Sequence, residues 1–300
     1  MNDDRHGGGP FNEWDLREPR EQSDLPSEPY DRWVSPDGVC MAEFHRRGEG
    51  FLLRFPDQAD FALDPNGQGD GFRGTGWPIP GCPSRVVRNL LTNAVLPVLG
   101  NHAGGLFLHG SAVSIHDGTG RSVGAAAFLG LSRGGKTTLA GALAKQGHPF
   151  LTEDVIDLRR RDGTYWLQPK TSKLRLFADS ARHLLGTGPE LSDNDEKQDV
   201  EGGSTLPFAS EPVPLKRIYV LGTDHAAPLE IASFPPPAAL VALLPHAFIL
   251  DVEDKPRLRA HFSRMADLID SVECHALDYP RDYAELPRVT EAILASFRAD

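Results

Sequence analysis

Residues 128–154, FLGLSRGGKTTLAGALAKQGHPFLTED, constrain this chain more than any other stretch. Gly130, four intervening residues, then Gly135, Lys136 and Thr137 make the pattern G-x-x-x-x-G-K-[ST]. Glycines at that spacing let successive backbone N–H groups turn inward around phosphate oxygens, while Lys136 brings a cation and Thr137 a hydroxyl suited to Mg²⁺. Ser132, Arg133, Gly134 and Thr138 complete the segment expected to line a nucleoside triphosphate. The context is right for it. Residues 122–129, SVGAAAFL, form an apolar run of strand length, and Leu139, Ala142 and Leu143 follow with helical spacing up to a Gly147 stop. Strand, loop and helix in this order aim a helix N-terminus at bound phosphate.

The flanking chain reads as an α/β protein. Residues 1–30 are rich in Asp, Glu, Arg, Gly and Pro without apolar periodicity, which predicts a disordered tail. Residues 31–82 carry short alternating runs at 39–44, 51–55 and 60–63, predicting a small antiparallel β-unit. Residues 83–300 are expected to be the catalytic domain. There, 106–115 predicts a strand that turns at Asp117-Gly118 and pairs with the strand feeding the loop. Residues 149–158 predict a third strand carrying Glu153 and Asp154, and Asp162-Gly163 turns it back. The polar stretch 186–204 predicts a long mobile loop that closes over ligand. Leu258, Phe262, Met265 and Ile269 share one apolar stripe, and Val289, Ile293 and Phe297 another.

Charge narrows the partners. The 300 residues hold 31 basic and 42 acidic side chains, a net charge of −11, which argues against gripping nucleic acid or an anionic membrane. Cys40, Cys82 and Cys274 are odd in number and widely spaced, an inventory of neither a disulfide framework nor a zinc cluster. With no apolar signal core, the expected location is the cytoplasm.

Leu108-His109-Gly110-Ser111-Ala112-Val113, the stretch 128–139, Gly147-His148 and Glu153-Asp154 together resemble the catalytic domain of HPr kinase. The similarity is closest to the HPr-kinase-related enzymes of peptide-modification clusters, including the kinases that tailor lasso peptides. Leu174-Arg175-Leu176, Pro214-Leu215-Lys216-Arg217-Ile218 and Asp278-Tyr279-Pro280-Arg281 extend the resemblance to the C-terminus. It implies a P-loop domain of the HPr kinase and phosphoenolpyruvate carboxykinase type, with the small β-unit ahead of it. It also implies ATP and Mg²⁺ as cofactors and phosphoryl transfer to a serine of a peptide or small protein. Two positions depart from the family pattern. Arg133 stands where glycine is common, and Glu153-Asp154 where two aspartates are.

Phosphoryl transfer needs one carboxylate for the metal and one for the hydroxyl proton. Two neighbours on a strand end would diverge to opposite faces, which suits two jobs. Glu153 is assigned to the metal with Thr137, and Asp154 to the proton, the swapped assignment staying open. His109 is a candidate for orienting substrate, and Arg175 and Lys197 for clamping the transferring phosphate. The other histidines are read as structural. A nucleotide-binding regulator and a carboxykinase-like small-molecule enzyme are the alternatives, and a homo-oligomer is left open.

Overall fold

The structure is a computed structural model that describes residues 14–25, 27–35, 37–67, 71–170, 173–186, 198–201 and 206–298. The chain divides into two compact units. Unit 1 comprises Met1–Gly104 with Ile249–Leu258, and unit 2 comprises Gly105–Phe248 with Arg259–Asp300.

Unit 1 is a six-stranded sheet in the order β1-β6-β5-β4-β3-β2. Its strands are β1 (Trp14–Leu16), β2 (Asp31–Val34), β3 (Cys40–Arg47), β4 (Gly50–Phe55), β5 (Ala59–Pro65) and β6 (Phe72–Pro78). Strands β2 to β6 pair antiparallel in succession, and alternation puts Ala42, Phe44, Leu53, Phe61 and Leu63 inside. Two helices follow, α1 (Ser84–Leu90) and α2 (Leu96–His102), joined by a π turn. Residues 83–104 therefore group with unit 1, and the break in contacts falls at Gly104 rather than at 82.

The expected tail is partly ordered. β1 lies parallel to β6, with the Trp14 ring against Gly74, where a Cβ would come within 2.2 Å of it. Residue 26 and residues 1–13 lie outside the described residues.

Unit 2 holds a sheet in the order β11-β10-β7-β8-β14-β16-β15. The strands are β7 (Leu106–His116), β8 (Ser122–Leu129), β9 (Phe150–Thr152), β10 (Val155–Arg161), β11 (Thr164–Gln168), β12 (Lys173–Leu176), β13 (Gln198–Glu201), β14 (Val213–Leu221), β15 (Glu230–Ser233) and β16 (Glu273–Asp278). Because β11 also pairs with β14, the strands β7, β8, β14, β11 and β10 close into a barrel. β8, β14 and β16 run parallel to one another, and β9 and β10 follow one another along β7.

Alternation on β8 sends Ala126 and Phe128 into one core and Ala125, Ala127 and Leu129 into another. The first core packs α3 (Lys136–Lys145), α4 (Ala178–Leu185) and α7 (Leu286–Arg298). The second packs α5 (Pro236–Leu243) and α6 (Lys255–Ser271) through Met265 and Leu268. Helices on both faces of the sheet make this a mixed α/β unit. A register shift between Leu215 and Arg217 changes the phase of β14, so that Val213 and Leu215 share the second core with Ile218.

Three expectations need correction. The predicted strand at 149–158 is two strands, with Glu153 and Asp154 in the break between them. The α6 stripe is rotated: His261, Met265 and Leu268 are buried, whereas Phe262 is 39% exposed. The loop predicted over 186–204 contains β13, which pairs with β12, and the rest of it from 187 lies outside the described residues. No helix among the described residues is long and apolar enough to cross a membrane.

Candidate functional site

β8 ends at Leu129 and α3 begins at Lys136, so residues 130–135 are the connection. Gly135 caps the helix at φ 91° with no side chain to satisfy the first-turn N–H groups. Arg133 takes φ 62°, the left-handed region where its departure from glycine matters. The Gly134 N–H donates to Leu131 O at 3.1 Å and the Leu139 N–H to Gly135 O at 2.9 Å, a tight loop running directly into helix. Lys136 is 7% exposed, and its Nζ donates to Gly130 O at 2.8 Å and Leu131 O at 2.9 Å. The ammonium is thus held at the loop mouth. Thr137 is buried beside it.

Ser132 is exposed and Gly134 buried. Thr138 faces away from the loop. Its Oγ1 lies 3.0 Å from Ser180 Oγ, which lies 3.0 Å from the Tyr283 hydroxyl, so this residue ties α3 to α4.

The acidic pair occupies a three-residue turn. The Val155 N–H donates to Glu153 O at 2.7 Å across Asp154, whose φ is 64°. Thr152 Oγ1 donates to Val155 O at 2.6 Å and supports the same break. The carboxylates do not diverge as neighbours on a strand would. Glu153, 4% exposed, accepts the backbone N–H of Arg175, and Arg175 Nη1 donates to Asp154 Oδ2 at 3.3 Å. Both converge on one residue of β12, Arg175. Lys197 lies outside the described residues.

Register sets the spacing between loop and turn. Gly110 on β7 pairs with Leu129 and donates its N–H to Asp154 O at 3.2 Å, so Leu129, Gly110 and Asp154 lie in a row across adjacent strands. Two strand spacings are roughly 10 Å, about the reach of a triphosphate with its cation. A Cβ at Gly110 would meet Phe128 O at 2.6 Å and Ile156 at 2.7 Å, which explains a glycine there.

His109 precedes it, its ring edge-on to Phe248 at 6.3 Å. Beside it is His246, which the sequence did not single out. The bridge between Leu108 and Ala247 holds that segment against β7. Burial, then the charges of His109 and Lys136, push the His246 imidazole down to about 4. Tyr279 and Arg281 also reach the loop, beside Gly135. Neither histidine nor this pair has a local spacing that announces a role.

The residues expected to hold the metal, Thr137 with Glu153 or, in the swapped assignment, Asp154, are all hard oxygen ligands. Among the described residues no group of three or more His, Cys, Asp or Glu could hold a metal by itself. Mg²⁺ is ordinarily bound by one or two carboxylates with substrate phosphates completing the shell, so these residues fit a Mg²⁺–nucleotide. The cradle fits as well. A Cβ at Gly130 would stand 3.1 Å from Leu221 Cβ, and one at Gly135 2.9 Å from the Tyr279 hydroxyl.

No family model matches the chain, and neither does any curated protein. Among solved structures it is similar to the HPr(Ser) kinase/phosphatase from Coxiella burnetii, at 12% identity and a TM-score of 0.36, over 64% of this chain and 97% of that one.

Proposed function

We propose that this protein is an ATP- and Mg²⁺-dependent kinase that transfers the γ-phosphoryl group to a serine hydroxyl of a peptide or small protein, a lasso precursor peptide being the leading candidate. One observation carries the reading: the row of Leu129, Gly110 and Asp154 sets a carboxylate turn two strands from a glycine loop that opens an uncapped helix. Many anion sites have such a loop. The acidic turn at that distance is what a hydroxyl acceptor requires.

Bound Mg²⁺–ATP supplies the phosphoryl group and a cation that neutralises its charge. Lys136 and the first-turn N–H groups of α3 hold the phosphates, with Thr137 and Glu153 on the metal. Asp154 takes the proton of the attacking hydroxyl, which is a poor nucleophile at neutral pH. Arg175, tied to both carboxylates, orients them and adds positive charge beside the acceptor. A nucleotide-binding regulator is the second reading. It is favoured by Lys136, whose ammonium is engaged by the loop's own carbonyls.

The deciding experiment supplies γ-³²P-ATP and Mg²⁺ with a panel of serine-containing peptides, some ending in serine. The kinase labels a serine, and Lys136→Ala abolishes the label while circular dichroism is unchanged. A wild-type protein that binds nucleotide and labels no hydroxyl would establish the regulator instead.

A further inference from the structure

β8, β14 and β16 are parallel, so their carboxyl ends lie on one edge of the sheet, where ligands of such sheets are commonly bound. The loop 130–135 leaves β8, Gly222 follows β14, and Tyr279 follows β16. Arg281 ties these ends together. Its Nη2 donates to Gly222 O at 2.8 Å and its Nη1 to Tyr279 O at 2.8 Å, while the guanidinium stacks on the Tyr279 ring at 3.8 Å. The backbone is pinned too, the Arg281 N–H donating to His225 O at 2.9 Å.

The third strand end is reached through space that a side chain would fill. A Cβ at Gly135 would be 2.9 Å from the Tyr279 hydroxyl, 3.7 Å from Arg281 Cδ and 3.8 Å from its Nε. Tyr279 is 2% exposed and cannot swing away without opening the core it shares with α3 and α7. Gly222 is equally constrained, since a Cβ there would meet Asp278 Oδ1 at 1.7 Å.

We propose that Arg281 is a positioning residue for the triphosphate loop: by gripping Gly222 O and Tyr279 O and stacking on the Tyr279 ring so that its hydroxyl is held against Gly135, it fixes the curve of residues 130–135 before nucleotide arrives. The proposal rests on the phosphate-loop reading above. It depends on the guanidinium fork, not on charge, because only a planar group bonds two carbonyls and lies flat on a ring together. Lysine at 281 keeps the charge and loses the fork.

The experiment measures Mg²⁺–ATP binding by calorimetric titration, and hydrogen exchange of the nucleotide-free full chain, for wild type, Arg281→Lys, Tyr279→Phe, Lys136→Ala and Val289→Ala. Val289 is fully buried in the same core but distant in role, so it controls for lost stability. Arg281→Lys is expected to weaken binding about 10-fold or more, since small misplacements of binding groups cost that much, and to speed exchange across 130–138 but not across 286–298. Tyr279→Phe keeps the stacked ring and should show the same change in exchange in a folded protein, with about a 3-fold loss of affinity.

Binding of Arg281→Lys within about 2-fold of wild type overturns the proposal, as does an equal loss in Val289→Ala at matched melting temperature. Unchanged loop exchange in Tyr279→Phe overturns it even where Arg281→Lys does not fold. If wild type binds no Mg²⁺–ATP, the phosphate-loop reading fails and takes this with it. If wild type binds, Lys136→Ala does not and Arg281→Lys behaves as wild type, the positioning role alone fails.

Discussion

Asp60 in unit 1 and Asp154 in unit 2 each face an arginine, Arg54 from the paired strand β4 and Arg175 from β12, but the backbones that carry them differ. Asp60 lies within β5, directly opposite Arg54 in the ladder, and accepts Nε and Nη2 at 3.0 Å each, with Gln22 Nε2 donating at 2.9 Å. It is 2% exposed, and the bond in turn raises the affinity of Arg54 for its proton. Regular strand, two parallel bonds and a third donor make a strut. Asp154 is presented on a left-handed turn, and its bond to Arg175 is longer, at 3.3 Å. An aspartate held at positive φ costs of order 1 kcal/mol, and such backbone is more often found where a side chain must be aimed than where it merely packs. The contrast teaches that a buried acid–arginine pair is no sign of function by itself. Asp154 stands on left-handed backbone and Asp60 does not, which makes Asp154 the one to test for a role beyond packing.

Substitution should separate the two. Asp154→Asn keeps the size of the side chain and removes the base, so transfer to a serine peptide should fall by about 10²–10⁴-fold with Mg²⁺–ATP affinity nearly unchanged. Single-turnover labelling beside a nucleotide titration checks this. Weakened binding as well would assign Asp154 to the metal and pass the proton to Glu153. Asp60→Ala should do the reverse, losing about 2–3 kcal/mol of stability in urea because the half-buried Arg54 loses both bonds to the carboxylate while keeping the one to Ser23 O. Its turnover per folded molecule should match wild type, and a catalytic defect at full folding would erase the distinction.

Histidines extend the comparison to pH. His246 and His261 are buried, and burial foremost pushes both from 6.5 to about 4. The unfolded chain then takes up these protons first as pH falls. Their contribution is complete above the unfolded value and disappears between about 6.5 and 4, so at pH 5 each should have cost about 2 kcal/mol relative to pH 7. Urea unfolding at the two pH values measures it, and a double substitution of both to Gln should flatten the difference. Equal pH dependence in that variant would place the acid sensitivity elsewhere.

Where the governing contacts are local, the fold and the site were legible. The Asp162-Gly163 hairpin announces itself through two adjacent positive-φ residues, and the loop 130–135 through its glycines between an apolar strand and an apolar helix. Features set by distant partners were not. β1 exists because Trp14 finds the bare backbone of Gly74, sixty residues on. The break at Glu153 and Asp154 depends on Arg175 crossing from β12, since FLTEDVIDL reads as one uninterrupted strand. His246 is brought to Lys136 by a bridge to β7 that no spacing encodes. The contact of the Thr138 hydroxyl with Ser180 is equally hidden from the sequence, because its partner comes from another helix.

Arg133 supplies the smallest effect and the finest test of the same contrast, because it too is an L-residue in left-handed backbone, at φ 62°. Relief of that strain by Arg133→Gly should stabilise the folded loop by about 1–2 kcal/mol. Glycine also adds about 0.4–1 kcal/mol of unfolded-chain entropy, and the exposed guanidinium loses its stacking on Phe177, whose ring centroid is 5.5 Å away. These effects oppose, so the net change in stability should be within about 1 kcal/mol, a shift of only a few degrees in melting temperature. Near-constant stability makes nucleotide affinity the informative readout. If the strained backbone serves to aim the guanidinium at phosphate, Arg133→Gly should weaken Mg²⁺–ATP by about 3–10-fold while AMP, which lacks the β and γ groups, binds unchanged. If affinity for both holds steady, the left-handed residue shapes the loop alone, and Arg133 belongs with Asp60 on the structural side.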